Sequence, residues 1–287
     1  MVMVLYLTMV DHLYLSPHFD DAALSCGGQI ATWTAAGQSV LVVTITGGDP
    51  PADAPSETVR QLHARWTASL AAEGAGGAAE AMVAQRRAED RAALAVLGAD
   101  WLHLPFLDCI YRCGPDGDAL YPGPMDMFGL PNPADAATLD ALAEALAELP
   151  PAGRVYLPLG VGGHVDHRAT RRAAERVFAA PLYYEEYPYT VRPGALAAAL
   201  ATDERGWAVT TVWLSAAALA GKTAAVSAYA SQLSSFFTGP DDLAAKLADD
   251  GRRVMADALA DGETVPAWAA GGERLRRSRS PPAAGAR

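Results

Sequence analysis

Short apolar runs punctuate the chain, and the stretches between them repeat their apolar residues every three to four positions. Runs at 13–16, 40–46, 101–104 and 154–158 are rich in Val, Leu, Ile and aromatic residues, and turn-forming or polar residues bound them, as expected of buried strands. A further run at 181–184 and an alternating stretch at 207–213 read as strands too. Helical spacing marks 29–36, closed by Gly37, a short helix near 59–70, and 81–97, closed by Gly98. It returns at 134–149, 168–178, 215–233 with Ser215 as its cap, and 241–260. Strand and helix alternate without a break, and parallel strands need such crossovers. The expectation is an α/β fold: a Rossmann-like, mostly parallel sheet with helices on both faces, formed as a single domain over residues 1–270. Residues 105–133 break the rhythm as a long loop rich in Pro, Gly and Asp, of the kind that is functional or disordered. Residues 271–287 are basic, lack apolar periodicity and are expected to be a disordered tail.

Composition narrows the function. The 33 acidic residues against 22 Lys and Arg leave a net charge of −11, which argues against nucleic acid or an anionic membrane as partner. Three cysteines imply no disulfide framework and point to a reducing cytoplasm. Cys109 and Cys113 lack the second pair that a structural zinc site needs. The apolar opening, residues 1–10, has no basic start of the kind a signal peptide carries, and is expected to be an ordered lead-in or an over-early start. No run approaches the ~20 apolar residues that spanning a bilayer requires.

The chemistry concentrates in two places. His18, Asp20 and Asp21 sit where strand 13–16 gives way to a helix, and open α/β sheets bind ligands at that edge. His164, Asp166 and His167 follow strand 154–158 through a Gly-rich loop, with the two histidines on one helical face. Ionisable groups packed so closely are costly to desolvate, and paired carboxylates repel. A divalent cation removes the conflict, since imidazole nitrogen and carboxylate oxygen are both zinc ligands. Taken together, His18, Asp21 and His167 make a two-nitrogen, one-oxygen site with a fourth position open for water, as in catalytic rather than structural zinc centres.

These two clusters resemble the signature motifs of the LmbE/PIG-L family of zinc-dependent N-acetylglucosaminyl deacetylases. Pro17-His18-Phe19-Asp20-Asp21 resembles that family's His-Pro-Asp-Asp motif, and His164-Val165-Asp166-His167 its His-x-Asp-His motif. The likeness extends to residues 85–89 with Leu97-Gly98, more weakly to 222–232, and covers most of 12–235. It implies an enzyme, a zinc-dependent N-deacetylase whose partner is a small-molecule amino-sugar conjugate. The metal, Zn²⁺ with Fe²⁺ as the in vivo alternative, is then held by His18, Asp21 and His167. Asp20 is implied as the general base. His164 would stabilise the oxyanion and, when protonated, supply a proton, while Asp166 would bond an imidazole. Arg86 would grip a polar substrate group. Phe19 replaces the usual Pro, Ala22 stands where many members have Glu, and Gly162 where some have Tyr, so the rim of the site differs.

Other residues admit two readings. Arg86 and Glu89 stand three apart, the spacing of a surface ion pair as well as of the family's substrate grip. Asp108 is a candidate sugar-hydroxyl acceptor or simply a solvated loop residue. Glu185, Glu186, Tyr187 and Tyr189 suit a carbohydrate wall or an ordinary aromatic loop, and His63 reads as an extra site residue or, in preference, a partly exposed packing histidine. A dinucleotide enzyme fits poorly, because Gly27-Gly28 belongs to no Gly-x-Gly-x-x-Gly fingerprint. A catalytically silent sugar-conjugate-binding protein on the same scaffold is the remaining alternative, and binding alone has no need of a general base.

Overall fold

The computed structural model describes residues 8–51, 56–71, 79–201, 203 and 205–279; the expected lead-in over 1–7 lies outside them. Seven strands build one sheet: β1 (Val10–Ser16), β2 (Val40–Thr44), β3 (Asp100–His103), β4 (Ala152–Pro158), β5 (Leu182–Tyr184), β6 (Trp207–Leu214) and β7 (Gly271–Ser278). Their order is β3-β2-β1-β4-β5-β7-β6, with the first five parallel and β7 antiparallel to both neighbours. The four strands expected to be neighbours are neighbours, and the direction of winding reverses between β1 and β4.

Successive residues of a strand face opposite sides, and β1 divides accordingly. Leu13 and Leu15 join Leu41, Val43, Leu157 and Tyr183 in one core. The helices α4 (Ala136–Ala147), α5 (Val165–Val177) and α6 (Ala195–Ala201) cover that core. Tyr14 joins Val42, Tyr156 and Tyr184 in the other, under α1 (Asp21–Ala35), α3 (Ala79–Leu97), α7 (Ala216–Ser227), α8 (Ala230–Phe236) and α9 (Pro240–Ala260). The remaining helix, α2 (Glu57–Ala71), packs with the 105–133 loop in a third apolar cluster that includes Trp66, Ile110 and Tyr121. Among the described residues no helix is long and apolar enough to cross a membrane.

Three expectations change. The helix after the first motif begins at Asp21, not Gln29, because Gly27 and Gly28 lie within it instead of breaking it. A Cβ on Gly28 would overlap Leu214, so the glycine serves the close approach of α1 to β6. The expected 215–233 helix is two, α7 and α8, parted near Tyr229. The expected disordered tail is, over its first eight residues, the buried strand β7; residues 280–287 lie outside the described ones. Three of its four charged side chains are paired, and Arg277 is exposed. Glu273 accepts from Lys222 Nζ at 2.7 Å and from the backbone of Gly28 and Gln29, while Arg276 pairs with Glu185 and Arg274 with Asp261, each at 2.7 Å.

Candidate active site

The first motif turns sharply off the end of β1. Ser16 Oγ donates to the His18 carbonyl and accepts from Ala22 N–H, and His18 N–H donates to Asp21 Oδ2 at 2.8 Å. The second motif enters from the adjacent strand β4 through Gly160, whose φ of 92° needs glycine, and α5 starts at Val165. Both motifs therefore meet at the carboxyl edge, across the point where the winding reverses.

One carboxylate oxygen there faces two imidazole nitrogens. Asp21 Oδ2 lies 3.0 Å from His18 Nδ1 and 3.2 Å from His167 Nε2. Each histidine's other nitrogen faces a further carboxylate: His18 Nε2 lies 3.1 Å from Asp166, and His167 Nδ1 3.3 Å from Glu186. Carboxylates behind metal-binding imidazoles fix the ring and leave the opposite nitrogen for the ion. His167 Nε2 is buried and makes no aligned hydrogen bond, and donors around a tetrahedral zinc stand ~3.4 Å apart given its ~2.1 Å bonds. The donor set therefore fits a divalent cation. His164 is close enough to form a group with His18 and His167, but its Nδ1 accepts from Asp166 N–H at 3.2 Å. That leaves the His164 proton on Nε2.

Charge reinforces the division of roles. Burial, then the neighbouring Asp21, pushes the Asp20 carboxyl up to about 6, with Arg86 and His18 opposing. Burial also acts on Asp21, but His167 and His18 hold it well below the usual carboxylate range. His18 is raised well above its ordinary value and His167 to about 9, because their carboxylate partners outweigh burial. His164 has Asp166 4.0 Å from its Nδ1, but burial and then His18 outweigh that carboxylate and push it down to about 3. Burial would raise Asp166, but Arg112 and His18 hold it far below the carboxylate range.

An open cleft of about 140 Å³ lies over this cluster. Its lining holds His18, Asp20, Asp21, Arg86, Asp108 and His164, six of the eight residues expected from the sequence; Asp166 and His167 are buried behind it. Arg86 packs between the rings of Phe19 and Trp66, with Nη2 4.0 Å from Asp20 and a buried, unpartnered Nε. The alternative Arg86–Glu89 ion pair does not form, since Glu89 accepts from Ser231 instead. Asp108 faces the cleft 3.8 Å from His18 Nε2, and also accepts from Ile110 N–H. His63 bonds Tyr111 OH at 2.6 Å.

The acidic pair after β5 is not a sugar wall. Glu185 is buried against Arg276, and Glu186, fully buried, orients His167 while accepting from Gly160 and Val161 N–H. Tyr189 does line the cleft, and its ring fills the space a side chain at Gly162 would take. Arg112 is buried outside the cleft lining. It bridges Asp166 and Asp135, and Asp135 in turn accepts from Tyr121 OH. The 105–133 loop is thus tied to the second motif, which Val165 N–H to Met127 O at 2.8 Å reinforces.

The chain is similar to known proteins over much of its length. The PIG-L family profile, described as GlcNAc-PI de-N-acetylase, matches residues 13–178. The chain is 32% identical over 184 residues to a 2'-N-acetylparomamine deacetylase of Niallia circulans, covering 62% of this chain and 66% of that one. It is 30% identical over 183 residues to a 2'-N-acetylparomamine deacetylase of Streptomyces fradiae, covering 62% and 57%. The match thus spans less than two thirds of the length of either curated relative. Among solved structures, the zinc-inhibited form of teicoplanin deacetylase Orf2 superposes with a TM-score of 0.72 at 26% identity, covering 93% of this chain and 97% of that one.

Proposed function

Because the chain belongs to the PIG-L family of GlcNAc-PI de-N-acetylases, we propose that it is a metal-dependent hydrolase. It removes an N-acetyl or related N-acyl group from a small N-acetylglucosamine-type sugar conjugate. The observation that carries this reading is Asp21 Oδ2 facing both His18 Nδ1 and His167 Nε2, with the Asp20 carboxylate in the same cleft and outside those pairs. The deacetylase names of the relatives support the choice of amide and of sugar.

His18, Asp21 and His167 would hold the cation, Zn²⁺ or Fe²⁺. When bound, such a cation lowers the pKa of water and polarises a carbonyl. Asp20 takes the proton of the attacking water as general base, and its raised pKa suits that task near neutral pH. The proton then passes from Asp20 to the departing amine nitrogen as the C–N bond breaks. His164 stays neutral and turns its Nε2–H to the developing oxyanion. Supply of the proton, expected of a protonated His164, therefore falls to Asp20. Arg112 keeps Asp166 ionised, and Asp166 holds His18 with its Nδ1 toward Asp21. Arg86, with its unpartnered Nε, and Asp108 face the cleft where sugar hydroxyls would lie.

A silent sugar-binding protein would place no ionised carboxylate beside the donor set, where it only adds repulsion. Acetate release from a panel of N-acetylglucosamine conjugates tests the reading. Release from at least one conjugate is expected, and binding across the panel without any release would favour the silent alternative.

A further inference from the structure

A second recess, of about 360 Å³, opens beside α5 and α6, with Gly160 in its wall. Four arginines line it, Arg168, Arg171, Arg172 and Arg205, against two carboxylates, Glu175 and Asp203. The carboxylates are already engaged. Arg171 Nε bonds Glu175 at 2.9 Å and its guanidinium pairs with Asp203. Arg205 reaches Glu175 at 2.8 Å through Nη2 and Asp203 at 2.8 Å through Nε. Both guanidiniums also lie over the Tyr183 and Trp207 rings. This closed cluster forms the rigid back of the recess.

Arg168 and Arg172 have no carboxylate partner among the described residues, and Arg168 Nε is buried without a hydrogen bond. They stand one turn apart on α5, so two like charges share a face, an arrangement that weakens a helix unless an anion lies between them. The lining carries two more positive than negative groups, on a chain whose net charge is −11. Guanidinium forks match phosphoryl oxygens in geometry and charge, and the volume falls in the range of small-molecule sites. The recess is separate from the metal cleft: Tyr189 packs on Gly162 from the cleft side, while the Arg168 guanidinium lies against Gly163.

We propose that this recess binds a phosphoryl group through Arg168 and Arg172, with room for the small organic part of a phosphate monoester. The test is calorimetric titration of the metal-loaded full chain with inorganic phosphate and, separately, with a hexose 6-phosphate. Wild type, Arg172→Glu and Arg168→Gln are compared, with metal content measured on each. Saturable one-to-one binding is expected, tighter for the hexose phosphate, weakened at least tenfold in both variants at unchanged metal content. Equal affinity for the two probes keeps the site and assigns it to free phosphate. Absence of saturable binding overturns the proposal, and so does binding that survives Arg172→Glu undiminished, which would put the anion elsewhere. Arg172 is exposed, so that variant reports binding without threatening the fold. Acetate release plays no part in the readout, so the outcome is independent of the deacetylase reading.

Discussion

Replacing Asp20 with Asn should make the protein slower and, without metal, more stable. The carboxyl is buried and titrates near 6 instead of 3.8, because burial and Asp21 both disfavour its charge. A shift of about two pH units is worth about 3 kcal/mol. The sign follows from linkage: with the folded pKa above the unfolded one, wild type loses stability as pH rises from about 4 to about 6, and the loss persists above. In metal-free protein at pH 8, Asp20→Asn should therefore unfold several degrees higher than wild type, and the difference should vanish near pH 4. In the loaded protein the same change should cost ~10²–10⁴ in turnover, about 3–5 kcal/mol of transition-state stabilisation, with metal content unchanged. Wild-type turnover should fall about tenfold per pH unit on the acid side of Asp20, at or below pH 6, since a cation beside Asp21 favours the carboxylate. The assays are thermal unfolding across pH and acetate release with metal analysis on the same samples. A variant that hydrolyses as fast as wild type would refute the general-base role, and one that loses its metal would exchange the roles of Asp20 and Asp21.

Three further outcomes follow from the surroundings of the site. His18 and His167 are both raised in the metal-free state, so metal uptake must displace their protons. Apparent metal affinity should climb up to ~100-fold per unit between pH 6 and 8, as competition with a chelator would show; a flat profile would contradict the ligand set. Arg112→Met removes the buried guanidinium that Asp166 and Asp135 share, which should lower stability by ~3–5 kcal/mol and metal affinity ~10–100-fold, with Arg112→Lys recovering part. Unchanged metal affinity in Arg112→Met would detach Asp166 from the positioning of His18. Glu273→Ala strands the buried Lys222 and should cost ~3–5 kcal/mol in urea unfolding, relieved by adding Lys222→Met. A cost below ~1 kcal/mol would mean that the β7 charges are solvated after all.

His18, Asp20, Asp21, His164 and His167 were legible in the sequence because ligand types crowd together right after strands, and the fold brings both clusters to one edge. The two core faces were legible for a similar reason, since alternation along β1 already separates Leu13 and Leu15 from Tyr14. Gly27 and Gly28 misled because a glycine pair reads locally as a helix break, whereas its use, close approach to Lys222 at Gly27 and to Leu214 of β6 at Gly28, depends on distant chain. The β7 segment misled in the same way: Glu273, Arg274 and Arg276 look like a solvated run until Lys222, Asp261 and Glu185 are placed against them. Glu186 and Arg112 stand 19 and 54 residues from the His167 and Asp166 they support. No local pattern encodes such pairs, and position at a strand's carboxyl edge was the one available signal for Glu186.

The central claim, that His18, Asp21 and His167 hold a cation on which amide hydrolysis depends, is tested most directly by stripping and reloading. Purified protein is depleted with a chelator, then titrated with Zn²⁺ or Fe²⁺ while bound metal and acetate release from the active conjugate are measured together. Wild type should lose its activity with its metal and regain it in proportion to about one ion per chain, whereas His167→Ala should neither hold the ion nor recover. Zinc beyond the first equivalent is kept low, since a teicoplanin deacetylase relative has a zinc-inhibited form. Hydrolysis that persists in metal-free protein, or a His167→Ala variant that binds and turns over like wild type, would contradict the account.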